Sequence, residues 1–504
     1  MASVGGENLQ SVGVDLEVRR PTAPTFAAVR ARVHGGTWAF ITLLLVLGFS
    51  FQGTRGIMEP DEGRYAVIAL NMLTSGDYIV PRLNPDQPHF AKPPLTYWAI
   101  ASSIAAFGKT EWAVRLPSAT AFVFTGIAVA MLGAVLGLRR PNLAGVIWST
   151  TLLPFAGGSV ASPDMLLAMF ETFAVLGYLE WRTHRRRLGM GLMWLSFGMA
   201  FLTKGPPGLL PLLAIIAFEL SCRRDSKLGG MFSMAPVLAF VAMSLSWFLY
   251  VAVRDPSLWH FFVVSETLDR VGTSFHGRNP GWQGFVNVYG AVLLVGTLPF
   301  GPVLIWNRLR ESKTLRSRFR QPDLKRFLYL WIGIPFAIFA VSQSRLPLYL
   351  LPLSVPFALI VARHFEAHAV SVRVITVTAI GSAIVLLGLR FSAPSWAADR
   401  DAHAFAQQLG SAVDLSRFDE IVFVDSARPL YGLAFYTGKE AKWIASSEDS
   451  ATLCTQLSSD HAPLIVMRQS AVAVIRDRFA TCNEARPVLV GQLHEFVLVA
   501  RAPN

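Results

Sequence analysis

Apolar residues in this chain come in long uninterrupted runs, and the polar residues gather in the short stretches between them. The runs are 14 to 23 residues long, bracketing the roughly 20 that a helix needs to cross a bilayer. Eleven read as crossings: 35–53, 116–138, 143–160, 165–181, 188–202, 207–220, 231–253, 285–306, 327–341, 346–362 and 374–391. The first follows no cleavable leader and reads as a signal anchor. Two of them, 188–202 and 207–220, are short, which predicts a tilted, broken or re-entrant pair. A further run, 94–107, has only 14 residues and is placed along the interface.

Near residue 390 the pattern changes. Short apolar stretches at 421–424, 464–467 and 496–499 alternate with polar helical segments, as in a small α/β unit. Residues 1–34 are polar, with no apolar periodicity, and read as a disordered cytoplasmic tail. The predicted fold class is an all-α polytopic membrane domain with juxtamembrane helices, followed by a small soluble α/β domain. Its parts are the tail, a membrane domain at 35–391 whose first external loop is 54–115, and a C-terminal domain at 392–504.

Composition sharpens this picture. Of 504 residues, 53% are hydrophobic and 15% charged, against about 25% charged in ordinary soluble domains. The formal charge of +12 would suit nucleic acid only if it formed a soluble patch. Instead the basic residues concentrate in alternate loops, most strongly at 181–187 and 307–326. The positive-inside rule puts those loops and the N-terminus in the cytoplasm and the C-terminal domain outside. Membrane lipids are then the surroundings, and nucleic acid is no partner. Were 94–107 a crossing, the arginine-rich loops would lie outside. Cys222, Cys454 and Cys482 have no metal-site spacing; one bridge between Cys454 and Cys482 is allowed if the C-terminal domain is in an oxidising compartment.

Charge next to lipid needs a reason, and Met58-Glu-Pro-Asp-Glu-Gly-Arg-Tyr65 puts three acids and an arginine directly after the first apolar run. Glu59-Pro60-Asp61 reads as a helix start, with acids at the positive end of the dipole. Helical spacing then sets Asp61 and Tyr65 on one face. By the same topology Asp61, Lys92, Asp164, Lys204, Arg270 and Arg345 all fall at external loops or external helix ends, as a site at one leaflet requires. Lys92 lies in a proline-stiffened loop and suits a lipid phosphate or simple snorkelling to headgroups. Asp164 follows Ser162-Pro163 and suits either a helix cap or a site; Glu171, seven residues on, lies within an apolar run. Gly108-Lys109-Thr110 imitates a phosphate-binding loop, but Ser103 stands where that motif needs glycine.

Taken together, Asp61-Glu-Gly-Arg-Tyr-Ala66, Ser75-Gly-Asp-Tyr-Ile-Val-Pro-Arg82, Lys92-Pro93, Ser162-Pro-Asp164, Leu202-Thr-Lys-Gly205 and Arg345-Leu-Pro-Leu-Tyr349 resemble the ArnT-like and protein O-mannosyltransferase branch of the GT-C glycosyltransferases. The resemblance covers roughly 35–391 and implies transfer of a sugar from a polyprenyl-phosphate donor to a lipid, glycan or protein acceptor at the outer face of a bacterial-type cytoplasmic (inner) membrane. It implies Asp61 and Asp164 as catalytic residues, Asp61 being the base, and Lys92, Arg270, Tyr349, Tyr65 and Arg345 as the donor-phosphate site. Two positions depart from the pattern: Ala91 stands where a glutamate is usual and Thr267 where a histidine is. Both weaken the case for a bound divalent metal, which leaves no certain cofactor, and for aminoarabinose and lipid A as the substrates. The main rival reading is a polytopic transporter or lipid-linked-sugar flippase. Against it, the polar groups gather at helix ends and no internal repeat is evident. A third reading is an inactive scaffold that binds lipid-linked sugar.

Overall fold

The structure, a computed structural model, describes residues 36–222, 225–268, 278–310, 322–424, 430–444, 463–469, 472, 487–493 and 496–501. The 1–34 tail, Arg270, Cys454 and Cys482 lie outside the described residues.

Every run predicted to be a crossing is mostly helical where it is described. Among the described residues, four helices are long and apolar enough to span a membrane: Glu111–Val135, Met234–Arg254, Pro347–Ala367 and Val372–Phe391. The number rises to six if two sharply bent pairs each count as one span. The run 143–160 does not form one rod. It breaks between Pro141–Ser149 and Leu152–Gly158, where Thr150 and Thr151 turn their hydroxyls back on the carbonyls of Val146 and Ile147. The run 188–202, in contrast, lies in one continuous helix, Arg187–Lys204, and the break comes after it at Gly205, whose φ of 73° ends the helix.

Capping residues fix where these helices start. The Thr110 hydroxyl accepts from Ala113 N (3.1 Å), and the Ser162 hydroxyl accepts from Asp164 N (3.4 Å) ahead of Pro163 in the first turn. The helices Pro163–His184 and Arg187–Lys204 form a tight antiparallel hairpin. A Cβ at Gly177 would sit 2.6 Å from the Gly189 carbonyl, so only glycine lets the two backbones meet so closely. At about 1.5 Å rise per residue, the two arms have similar length. Asp164 at the start of one and Lys204 at the end of the other therefore come level.

The run 94–107 is the helix Leu95–Phe107, packed beneath the Asp61–Ser75 helix through buried Tyr97, Ile100 and Ile104. After Val372–Phe391 comes a five-stranded sheet in the order Glu440–Ile444, Glu420–Val424, Pro463–Arg468, Phe496–Arg501, Pro487–Leu493. The first three strands are parallel and the last two antiparallel. Three of the five were predicted from their apolar runs. The two outer strands were not, because Glu440–Ile444 and Pro487–Leu493 sit at the sheet edges and carry mixed residues. One segment of this part, Leu433–Thr437, leaves the sheet and seats against the Asp61–Ser75 helix.

Candidate active site

Asp61 begins the helix Asp61–Ser75 and is half exposed, and its Oδ1 accepts a 2.6 Å hydrogen bond from Arg64 Nη2. The Arg64 guanidinium lies 5.5 Å from the centre of the Tyr65 ring, which in turn packs 5.6 Å from buried Tyr97. Asp61 and Tyr65 thus share one helix face, as the spacing predicts, with Arg64 between Asp61 and the ring. Burial raises the Tyr65 phenol above its ordinary range; Arg64 opposes that shift, and Asp164 and Asp61 reinforce it.

A second group sits at the open end of the glycine-tight hairpin. Lys204 pairs with Asp164, and its amine also lies 4.3 Å over the Tyr349 ring. Beside it Lys92 pairs with Glu266 at 3.4 Å. Lys92, Glu266, Lys204 and Tyr349 all line one cavity of about 330 Å³, whose other walls are apolar, including Phe90, Phe248 and Phe339. Such a space combines charged groups with lipid-like walls. Buried Glu171 stands further along the same helix as Asp164, within electrostatic reach of Lys204.

Two residues here escaped the sequence reading. Glu266 partners Lys92, and its only sequence signal is its place at the head of the stretch that holds Thr267 and Arg270. His89 is largely buried, and its Nε2 has no hydrogen-bond partner among the described residues. Burial, with Arg64 and Lys92 nearby, lowers its pKa to about 3, so the imidazole is neutral at physiological pH. Nothing in the proline-rich loop around it distinguishes it by sequence.

Arg345 is placed differently from the rest. Its guanidinium donates to the backbone carbonyls of Asn279 (3.1 Å), Gly281 (2.9 Å) and Ala340 (3.1 Å), and its own amide donates to the Arg278 carbonyl. It clasps the 278–281 loop. Among the described residues no three of His, Cys, Asp and Glu converge as a divalent ion would need. The described residues therefore do not fit a metal, and no chemistry is routed through one.

Glu62, given no role from sequence beyond the helix start, is the most heavily bonded side chain of the loop. It is buried, and its two oxygens accept from Arg55 (2.6 Å and 3.2 Å), from Arg115 (2.9 Å twice), and from the amides of Met58 and Ala161 (2.9 Å each). The arginines hold its carboxyl well below the usual range despite burial. This knot joins the start of the Asp61–Ser75 helix to the Glu111–Val135 helix and to the turn before Pro163–His184. It therefore fixes the position of Asp61 relative to Asp164.

The C-terminal part closes over the same helix. Glu59 Oε1 accepts from the Gly432 amide, while Oε2 is buried without a partner among the described residues. Tyr436 accepts from Ile57 N (2.8 Å) and donates to Glu111 (2.9 Å). Gly56 N donates to Asp401, and Ala402 N to the Ile57 carbonyl. A Cβ on Gly63 would strike both Glu59 and Gly432, so this close seat requires glycine.

The chain is similar to proteins of known family and fold. The family model described as dolichyl-phosphate-mannose-protein mannosyltransferase matches residues 91–262. A protein of Serratia proteamaculans named undecaprenyl phosphate-alpha-4-amino-4-deoxy-L-arabinose arabinosyl transferase is 32% identical over 349 residues, 67% of this chain and 61% of that one. Its namesake in Yersinia enterocolitica is 31% identical, over 66% of this chain and 60% of that one. The chain thus spans about three fifths of the length of these relatives. The crystal structure of ArnT from Cupriavidus metallidurans bound to undecaprenyl phosphate superposes with a TM-score of 0.72 at 22% identity, covering 93% of this chain and all of that one. Its apo form gives 0.71. The resemblance carried by the loop motifs therefore holds in both sequence and fold.

Proposed function

We propose, from the premise that this chain is an ArnT-like protein of the GT-C fold, that it is a membrane glycosyltransferase moving a sugar from a polyprenyl-phosphate donor to an envelope glycolipid, another glycan or a protein. The observation that carries this reading is the cavity where Lys92, Lys204 and Tyr349 meet apolar walls. A polyprenyl tail suits the walls, and its phosphate suits the two ammonium groups. A transporter would place its charges near mid-membrane between repeated halves; here they stand at helix ends around one cavity.

In this mechanism the acceptor oxygen attacks the anomeric carbon while its proton passes to the Asp61 carboxylate. The bond from that carbon to the phosphate oxygen breaks, and the polyprenyl phosphate leaves with the electron pair. Lys92 and Lys204 stabilise the charge that develops on it, together with Arg270, which lies outside the described residues. A single in-line displacement inverts the anomeric centre. Asp164 orients Lys204, Tyr349 backs the Lys204 amine, and Arg64 holds Asp61 over Tyr65. Arg345 acts through the 278–281 loop that it clasps.

The finer topology belongs to the same proposal. The chain crosses the membrane about eleven times within 35–391, with its N-terminus cytoplasmic and the domain at 392–504 external. The lipid-like exposure of Val374, Val377, Ile384 and Phe391 supports a span at 372–391.

The test is sugar transfer from a lipid-linked donor by purified protein in detergent, where vectorial transport is impossible. Transfer that disappears in Asp61→Asn, with folding and donor binding retained, is expected. Full activity in that variant sinks the mechanism, and no transfer by the wild type from any polyprenyl-phosphate sugar sinks the function.

A further inference from the structure

Away from the apolar cavity, a second cleft of about 720 Å³ opens between the Asp61–Ser75 helix, the 82–88 hairpin and the C-terminal segment 434–441. Its lining includes three cations, Arg82, Lys109 and Lys439, against two acids, Asp77 and Glu440. Asp77 is engaged within its own loop, where Oδ1 accepts from the amides of Ile79 and Val80. Glu440 acts on Lys442, which itself pairs with Glu420.

The cations of the cleft differ from those around it. Arg55, Arg64, Arg115, Lys92 and Lys204 each face a carboxylate at ion-pair distance. Among the described residues, neither Lys109 nor Lys439 does: the Lys109 amine lies 5.3 Å from the Phe435 ring centre, and partial burial lowers its pKa. Arg82 spends Nη1 on the Pro85 carbonyl and has its other donors to spare. Among the described residues, three cations that face one cleft without a carboxylate at ion-pair distance form a ready site for an anion.

The position of the cleft relative to Asp61 gives it a role. Its helical wall is the stripe Val67, Leu70, Asn71 and Thr74, and Arg64, the partner of Asp61, lies one turn back along that stripe. At about 1.5 Å per residue, Asn71 stands roughly 15 Å along the helix from Asp61. Segment 431–441 roofs both ends, touching Gly63 with Gly432 and the cleft with Ala434 and Lys439.

We propose that this cleft binds the anionic carbohydrate head group of the acceptor, with Lys109, Lys439 and Arg82 receiving its phosphate or carboxylate, so that a hydroxyl further along the ligand reaches Asp61. This rests on the glycosyltransferase reading for the word acceptor, though not for the binding itself. The cleft is thereby the acceptor's counterpart to the donor cavity on the other side of Arg64 and Tyr65.

The experiment is calorimetric titration of the full-length protein in detergent with a phosphorylated disaccharide, a uronic-acid disaccharide and a neutral disaccharide. The anionic sugars bind, more weakly as salt is raised, and the tighter of the two identifies the anion. Affinity falls at least tenfold in the double variant Lys109→Ala with Lys439→Ala, returns in Lys109→Arg with Lys439→Arg, and is unchanged in Asp61→Asn. With a transferable acceptor, the alanine pair raises acceptor KM and leaves kcat and donor KM alone. Equal binding of the neutral sugar, or wild-type affinity in the alanine pair at unchanged Tm, overturns the proposal. If the lysine-dependent binding holds but the wild type transfers no sugar, the anion site stands and the transferase reading falls.

Discussion

Two clusters of ionised side chains flank Asp61, and they are built on opposite principles. In the knot at Glu62 every oxygen lone pair has a donor, both arginines are buried, and Arg115 uses its remaining N–H groups on the carbonyls of Gln52, Arg55 and Gly56. At the donor cavity, the Lys204 ammonium has one carboxylate, a ring face and open space, and Lys92 lies beside Glu266 at a looser 3.4 Å. A saturated buried network locks geometry and has nothing left to offer a ligand. A partly saturated one at a cavity keeps its field for whatever enters. Charge close to a membrane is thus no guide to function until its remaining hydrogen-bonding capacity is counted.

This contrast can be broken most sharply at the two neighbouring acids. Asp61→Asn should lower the transfer rate by about 10²–10⁴-fold, the usual loss for a general base, at unchanged Tm and donor affinity. Glu62→Ala should do the reverse. It strands two buried guanidinium groups, costs about 3–5 kcal/mol of stability, and shows as a lowered Tm and poor recovery of folded protein; activity per folded molecule falls less than in Asp61→Asn. If Glu62→Ala is as stable as the wild type, the knot is not structural.

A smaller effect is expected at the cavity. Lys204→Met removes one of two ammonium groups and should cost roughly tenfold, or about 1.4 kcal/mol, in donor affinity, read as the dissociation constant for polyprenyl phosphate. Stability should fall as well, since buried Asp164 loses its ammonium partner, so the constant is measured on folded protein. Equal donor affinity in this variant would move the phosphate elsewhere.

The smallest effect is on pH dependence. Burial raises the Glu59 carboxyl from its ordinary 4.5 to about 8, against the pull of the Gly432 and Tyr431 amides. The unfolded chain therefore releases this proton before the folded one does, and the stability that the protonated group contributes declines as pH rises from about 4.5 to about 8. Glu59→Gln keeps a neutral side chain of the same shape and should flatten the slope of Tm against pH in that window. A slope identical to the wild type would place the titration in another group.

Much of this could be read from the chain because periodicity and helix ends are local signals. The apolar runs, the helix start at Asp61, the pairing of Asp61 with Tyr65 on one face and three of the five strands all follow from spacing within a few residues. The convergence of Lys92, Lys204, Asp164 and Tyr349 was legible only as a shared side of the membrane and a family resemblance; no spacing shows that Lys204 reaches Asp164 across a hairpin closed by Gly177 and Gly189. Glu62, Glu266 and His89 were missed or left idle because their meaning depends on partners at distant positions. Arg55 and Arg115 around Glu62 are the clearest case. The break at Thr150 and Thr151 was hidden for a related reason, since threonine suits a membrane helix until its hydroxyl bonds back.

The contacts between the first loop and the C-terminal part also set an order of events for the growing chain. Ile57 is held by Tyr436, 379 residues later, and Glu59 by Gly432, 373 residues later. The loop that carries Asp61 is therefore made several hundred residues before the segment that completes its seat. A nascent chain can thus place its first helices in the bilayer and still lack a finished reaction chamber until residues 432–436 have been made.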